Sequence, residues 1–327
     1  MVLLLARSAI ESLVNMREAI CAVEEAFREY ARGEVQMPPR SIITIPERGG
    51  WIGGMSAYLR GLSAAASKVV ASYPNNALKG LPTISALITY IDIDTGIPLA
   101  VMDAAYLTAL RTGAASGVAT KYLAREDSET VGVIGAGVQA RFQLEAVAAV
   151  RRISRVYVYS PTHEHRIRFA KEVEERLGVH VTSLDAAAEV VCKADILVVA
   201  TSAKEPVVKG KWLRAGTHIN GVGSHSPKVR ELDGEVVRRS KVVVDSREAA
   251  LREAGDLLIP MAEGGFSVGD IYAELGEVVS GAKHGRESPE EVTLFKSVGL
   301  AIQDVAVAKI AYDKARRFGV GSEVKLA

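Results

Sequence analysis

Two short stretches of this chain carry residues whose types and spacing suit chemistry. In "TVGVIGAGVQA", residues 130–140, Gly135, Gly137 and Ala140 form G-x-G-x-x-A after a β-branched run and before a helical pattern. The first glycine permits a tight turn, and the second lets backbone approach a pyrophosphate. The helix that follows offers unpaired N–H groups and a positive dipole end to phosphate. Gly135, Ala136, Gly137, Val138 and Gln139 are therefore candidate dinucleotide contacts. The second stretch is "INGVGSHSPKVRELD", residues 219–233, where His225 stands between two serines after Gly223. An imidazole ordinarily titrates near about 6.5 and can pass a proton at neutral pH. An exposed turn would also accept a histidine, so its type alone leaves the role open.

The elements that must position these residues follow from periodicity. Residues 10–32 carry Ile10, Leu13, Val14, Ile20, Val23 and Phe27 at helical spacing. Prolines and Gly-Gly pairs punctuate residues 36–59, which with "SKVVASYP" and "ALITYIDIDTGIPLAVMD" read as strands and turns. A helix is expected over about 103–123, and a last long one over about 290–318. From Glu129 onward, "VGVI", "RVYVYS", "ADILVVA", "THINGVG" and "KVVVDS" alternate with helical segments. That alternation predicts a Rossmann-type, doubly wound parallel sheet. The last helix is expected to return to the N-terminal part. The fold class is then α/β, with the doubly wound domain (123–302) inserted in a discontinuous α+β domain (1–122 plus 303–327).

The totals exclude several classes. The chain has 327 residues, of which 48% are hydrophobic and 24% charged, and its formal net charge is +1. Nothing there pulls toward nucleic acid or an anionic membrane. No uninterrupted apolar run approaches membrane-spanning length. Two cysteines, Cys21 and Cys192, make no disulfide or zinc pattern, which fits a reducing cytoplasm, and no metal site is expected.

The strand after the glycine turn ends "VYVYSPTHEHR". A strict NAD site wants an acidic residue there for the ribose hydroxyls. This chain has Ser160, then Thr162, His163, His165 and Arg166. A serine tolerates a 2′-phosphate that nearby basic groups can pair, which tilts the expectation toward NADP(H) over NAD(H). Glu164 or backbone groups could instead hold the ribose of NAD.

Seven segments together resemble the ornithine cyclodeaminase/μ-crystallin family, which includes archaeal alanine dehydrogenase and cyclic imine reductases. They are "MPPR" (37–40), "ASKVVASYPNN" (66–76), "GLPTISALI" (80–88), "ALRTGAASGVAT" (109–120), "VGVIGAGVQA" (131–140), "VGSHSPKVRELD" (222–233) and "LFKSVGLAIQD" (294–304). The resemblance implies that Arg40, Lys68 and Arg111 clamp a substrate carboxylate, Lys68 and Arg111 also being catalytic. A guanidinium suits that task through paired hydrogen bonds, and a lysine adds a point charge. All three sit in small or apolar surroundings, "PPRSII", "AASKVVAS" and "TALRTGAA". A charge so flanked is expected to point at a partner. Lys68 alone would otherwise read as a solvated surface cation. The resemblance also implies cofactor contacts at Thr83, Arg111, Thr112, Thr201, Val222 and Ser297, and substrate contacts at Met55 and Val298. For the hydroxyls, a turn or helix-end bond is an equal alternative. Met55, Tyr58 and Leu59 could wall the substrate or fill a core.

In the family's cyclodeaminases and its archaeal alanine dehydrogenase, an aspartate occupies the position of His225. A histidine can still relay a proton, but it provides no fixed negative charge beside an ammonium. "RGGWIGGMS" also has no acidic residue where the family's distal-amine contact falls. Both departures disfavour an ornithine cyclodeaminase. The first reading is thus an NAD(P)H-dependent oxidoreductase at the Cα–N bond of a small amino or imino acid, reducing a cyclic imine such as Δ1-pyrroline-2-carboxylate. An alanine-dehydrogenase-like enzyme is second. Ornithine cyclodeaminase and a μ-crystallin-like NADP(H)- and ligand-binding protein remain behind it. The apolar strands of 66–101 exceed what one small sheet face can bury, which predicts a homodimer.

Overall fold

The computed structural model describes residues 1–325 and divides into two compact units, Met1–Arg111 with Leu300–Ala327, and Thr112–Gly299. Residues 326 and 327, part of the expected first domain, lie outside the described residues.

The first unit is built on an eight-stranded sheet. Its order is Ser322–Val324, Val2–Leu5, Pro98–Asp103, Ile84–Ile91, Ala64–Ser72 and Gly50–Leu59, with Val35–Gln36 and Ser41–Ile45 both pairing with the last. Among the described residues only the pairing of Val2–Leu5 with Pro98–Asp103 is parallel in this sheet. The helix Ala301–Phe318 packs on three of these strands, and the helix Met16–Ala31 packs on it. Ile20, Val23 and Phe27 form the buried stripe of the latter. Burying Phe27 completely contributes about 1.5–3 kcal/mol. Alternation puts Ala66, Lys68 and Val70 inward and Val69 outward, where it lies opposite Leu87, with both more than half exposed.

Two helix expectations are corrected here. The pattern over 10–32 is two helices, Arg7–Leu13 and Met16–Ala31. Asn15 separates them as the N-cap of the second, in a reciprocal box with Glu18 at 3.0 and 3.1 Å. The segment expected to be helical from 290 is first a buried strand, Val292–Lys296, then a turn at Gly299 with φ of +85°, and only then the helix from Ala301. Val292 and Thr293 are β-branched, and a left-handed glycine ends any regular element.

The second unit carries eight strands paired in parallel throughout. Their order is His180–Ser183, Arg155–Tyr159, Thr130–Ile134, Ile196–Val199, His218–Gly221, Val292–Lys296, Ser240–Val244 and Ile271–Glu274. Strand order reverses between Thr130–Ile134 and Ile196–Val199, the switch point of a doubly wound sheet. Ile196 and Val198 join a core with Val133, Leu144 and Phe169, whereas Leu197 and Val199 join another with Ile219, Val244 and Leu294. One strand thus feeds a core on each face, which explains its uninterrupted apolar sequence.

The units part within the helix Ala105–Leu123 rather than at its end. Its C-terminal half is engaged in the second unit. Gln143 donates to Thr112 O at 3.1 Å, Asn220 to Thr120 Oγ1 at 3.0 Å, and Arg151 to Thr120 and Lys121 carbonyls at 3.1 Å each. Among the described residues no helix is long and apolar enough to cross a membrane.

Candidate functional site

In the first unit, strand and helix bring together two cations that lie far apart in sequence. Lys68 and Arg111 are only 2% and 5% exposed, so neither is a surface charge. Both meet Asp304 on the last helix, Lys68 Nζ at 2.6 Å and Arg111 Nε at 2.9 Å. Arg111 Nη1 also donates to Gln303 Oε1 at 2.6 Å. A guanidinium has five N–H donors, so after these bonds it keeps others for a ligand. Burial pushes the Lys68 ammonium down to about 7. Asp304 opposes that shift, and Arg111 and Arg40 add to it. Arg40 is half-buried, just ahead of the strand Ser41–Ile45. Met55 is buried directly opposite Lys68 in the strand register. The expected wall of Met55, Tyr58 and Leu59 divides, however. Strand alternation turns Met55 and Leu59 inward and Tyr58 to the other face, and Leu59 is fully buried core.

In the second unit the glycine turn has the form its sequence predicts. Gly135 has a φ of +106°, and a Cβ there would stand 2.4 Å from Ala200 O, so only glycine fits. A Cβ on Gly137 would meet nothing within 4 Å, which leaves open space over the turn. Gly137 is the N-cap of the helix Val138–Val150, and no side chain caps that end. Val138 stands 63% exposed beside it, and the side-chain oxygen of Gln139 is buried with no hydrogen-bond partner among the described residues. Open space and uncapped N–H groups fit a dinucleotide pyrophosphate. Arg141, which the sequence reading did not single out, donates to Ala136 O at 2.7 Å and Gly137 O at 3.0 Å and so fixes the turn.

At the ribose end, Ser160 and Arg166 are both buried and Thr162 is exposed. Arg166 Nη1 donates to Ser160 O at 2.9 Å, and Nη2 is paired with Asp185. Its charge is therefore already shared with a carboxylate. Thr83 and Thr112 fall in different units, Thr83 exposed and Thr112 half-buried. Thr201 Oγ1 accepts from Ala203 N at 3.1 Å, and Val222 N donates to Val199 O at 3.0 Å. Ser297 spends its hydroxyl on Asp245 Oδ2 at 3.0 Å, and the same oxygen accepts from Val298 N at 2.8 Å. The Ser297 hydroxyl thus donates within the local structure, whereas the Thr201 hydroxyl there only accepts.

His225 lies exposed on its turn, with Nδ1 3.1 Å from Gly223 O. Beneath the turn is a set of buried charges that sequence reasoning missed. Glu231, Asp256 and Lys296 are all fully buried, and Lys296 Nζ meets Asp256 Oδ2 at 2.7 Å. Burial pushes the Glu231 carboxyl up to about 7, against the pull of Lys296 and with the push of Asp256. Lys296 and Asp304 both stand alone in apolar runs, "TLFKSVG" and "AIQDVAVA". The rule applied to Arg40, Lys68 and Arg111 would have found them. Among the described residues no cluster suited to a metal occurs.

A doubly wound parallel sheet with an open glycine turn at its switch point defines an α/β protein of the Rossmann type. The chain belongs to the ornithine cyclodeaminase/mu-crystallin family, whose model matches residues 2–318. It is 46% identical over 323 residues to the alanine dehydrogenase of Archaeoglobus fulgidus, covering 99% of this chain and 98% of that protein. Its fold is similar to that of Thermococcus litoralis Delta(1)-pyrroline-2-carboxylate reductase in complex with NADH and L-proline. The TM-score is 0.97 at 53% identity, covering 98% of this chain and all of that one (100%). It is similar also to an archaeal alanine dehydrogenase dimer with bound NAD, with a TM-score of 0.95 at 45% identity, covering 100% and 99% of the two chains.

Proposed function

We propose that this protein is an NAD(P)H-dependent oxidoreductase acting on the Cα–N bond of a small amino or imino acid, and that it reduces a cyclic imino acid such as Δ1-pyrroline-2-carboxylate. The observation that carries the reading is the buried Lys68–Asp304–Arg111 cluster beside Met55. Arg111 and a partly protonated Lys68 share one carboxylate, which leaves donors and positive charge that a substrate carboxylate completes. The 53% identity to a reductase solved with NADH and L-proline supports the substrate class.

On this reading Arg111, Lys68 and Arg40 hold the carboxylate, and Met55 offers an apolar surface to the ring. Gly135, Gly137 and the uncapped start of the helix Val138–Val150 would hold a reduced nicotinamide dinucleotide, which when bound would supply hydride for Cα. The ring nitrogen takes a proton as the C=N double bond becomes single, and His225 is assigned to deliver it. Retention of the clamp cations favours turnover over simple ligand binding. The 46% identity to an alanine dehydrogenase keeps amino acid dehydrogenation as the second reading. Initial rates on a panel of cyclic imino acids, and on pyruvate with ammonia, decide between them. Faster turnover of the cyclic imines is expected. Faster turnover of pyruvate would favour the second reading, and no NAD(P)H oxidation with any of them would leave only a binder.

The cofactor preference is a finer proposal. Ser160 in place of an acid favours NADPH, but Arg166 already shares its charge with Asp185. A partly screened ion pair contributes up to about 1 kcal/mol, so the NADPH preference in the same assay should stay below about tenfold. Tighter binding of NADH would reverse it.

We further propose a homodimer formed through the first unit. Its sheet exposes Val69 and Leu87 opposite each other on the face away from the Lys68 side chain. Light scattering at micromolar concentration should give twice the 34.9 kDa chain mass, and a monomer mass would refute the dimer.

A further inference from the structure

Glu231 joins two turns that leave neighbouring strands of the second unit. Its Oε1 accepts from Thr201 N at 2.6 Å, just beyond the strand Ile196–Val199. Its Oε2 accepts from Ser224 N at 2.8 Å, just beyond the paired strand His218–Gly221. Gly223 lies so close that a Cβ there would stand 2.4 Å from both Glu231 Oε1 and Thr201 O. Ser224 is held from two further directions. Its hydroxyl donates to Val229 O at 2.7 Å, and its carbonyl accepts from Lys296 Nζ at 2.7 Å. The residue next to this fixed point is His225. Glu231 is itself anchored, because its backbone N and that of Leu232 donate to Asp256 Oδ1 at 2.7 and 2.9 Å. Each of its two oxygens accepts from one turn amide, so one buried group satisfies both turns. A surface loop would not need such an anchor, since water can satisfy its amides.

We propose that Glu231 is a positioning residue for the reaction, whose carboxylate holds the His225 turn and the Thr201 turn in fixed register. The inference rests on the proton delivery assigned above to His225 and on the cofactor contact expected at Thr201. Glutamine at 231 keeps the shape but presents only one acceptor atom, so one of the two amides loses its partner.

The test is a double-mutant cycle in the full chain with Glu231→Gln and His225→Ala, reading kcat and KM for the imine, NADH affinity and the melting temperature. Glu231→Gln is expected to lower kcat by about tenfold or more. In the His225→Ala background the same change should alter kcat less than about twofold, because the group being positioned is gone. Equal losses in the two backgrounds, or wild-type kcat in Glu231→Gln, would overturn the proposal. If His225→Ala is itself without effect, the reading of His225 fails separately. The positioning role is then decided by NADH binding, where a Kd raised about tenfold upholds it and an unchanged Kd overturns it. If Glu231→Gln does not fold, Glu231→Asp, which keeps the charge but shortens its reach, takes its place in the same cycle.

Discussion

Arg111→Ala is expected to lower kcat/KM by roughly 30- to 5,000-fold. The loss of one partner of a buried, hydrogen-bonded charge pair costs about 2–5 kcal/mol, and each 1.36 kcal/mol is about tenfold. Arg111 should matter more than Lys68. Burial lowers Lys68 to about 7, so at neutral pH it is divided between ammonium and amine. The guanidinium also offers a carboxylate paired donors, which a lysine does not. The alanine variant should still fold, because Asp304 keeps Lys68 as its partner at 2.6 Å. Steady-state kinetics beside a melting curve separates the two effects. A wild-type kcat/KM would remove Arg111 from the clamp.

The second large effect is expected at His225. If it delivers the proton, His225→Ala should slow imine reduction by roughly 10²–10⁴-fold, the usual worth of a positioned acid or base. His225 is exposed and its turn is anchored through Ser224, so the substitution should leave the melting temperature nearly unchanged. His225→Asp should keep part of the activity and raise amine oxidation relative to imine reduction. A carboxylate attracts an ammonium substrate, whereas a neutral imidazole does not. Rates in His225→Ala equal to wild type would return the residue to a polar position in a turn.

The glycine turn was legible because its chemistry is local. Gly135, Gly137 and Ala140 lie within one strand–turn–helix, and each glycine's role follows from its neighbours in sequence. The arrangement of the clamp was not legible from the residues alone. Arg111 and Asp304 are 193 positions apart, and only the packing of the last helix on the sheet joins them. The same limit hid Glu231, whose partners Thr201 and Ser224 leave different strands. The helix expected from 290 failed for a local reason. Apolar residues in a short run suit a buried strand as well as a helix, and length decides only when the glycine ending the run is recognised.

The strand Val292–Lys296 lies between His218–Gly221 and Ser240–Val244, although it is made after both. On the ribosome those two strands therefore wait for their shared neighbour. About fifty residues separate Val244 from Val292, and at about 5–20 residues per second the delay is roughly 2–10 s. Throughout it, each strand offers an apolar, hydrogen-bond-hungry edge to any other nascent chain. The first unit waits longer still, because Ala301–Phe318 covers its sheet and Ser322–Val324 pairs with Val2–Leu5. Neither unit can close before its last segment emerges, so misassembly during synthesis competes with folding in both.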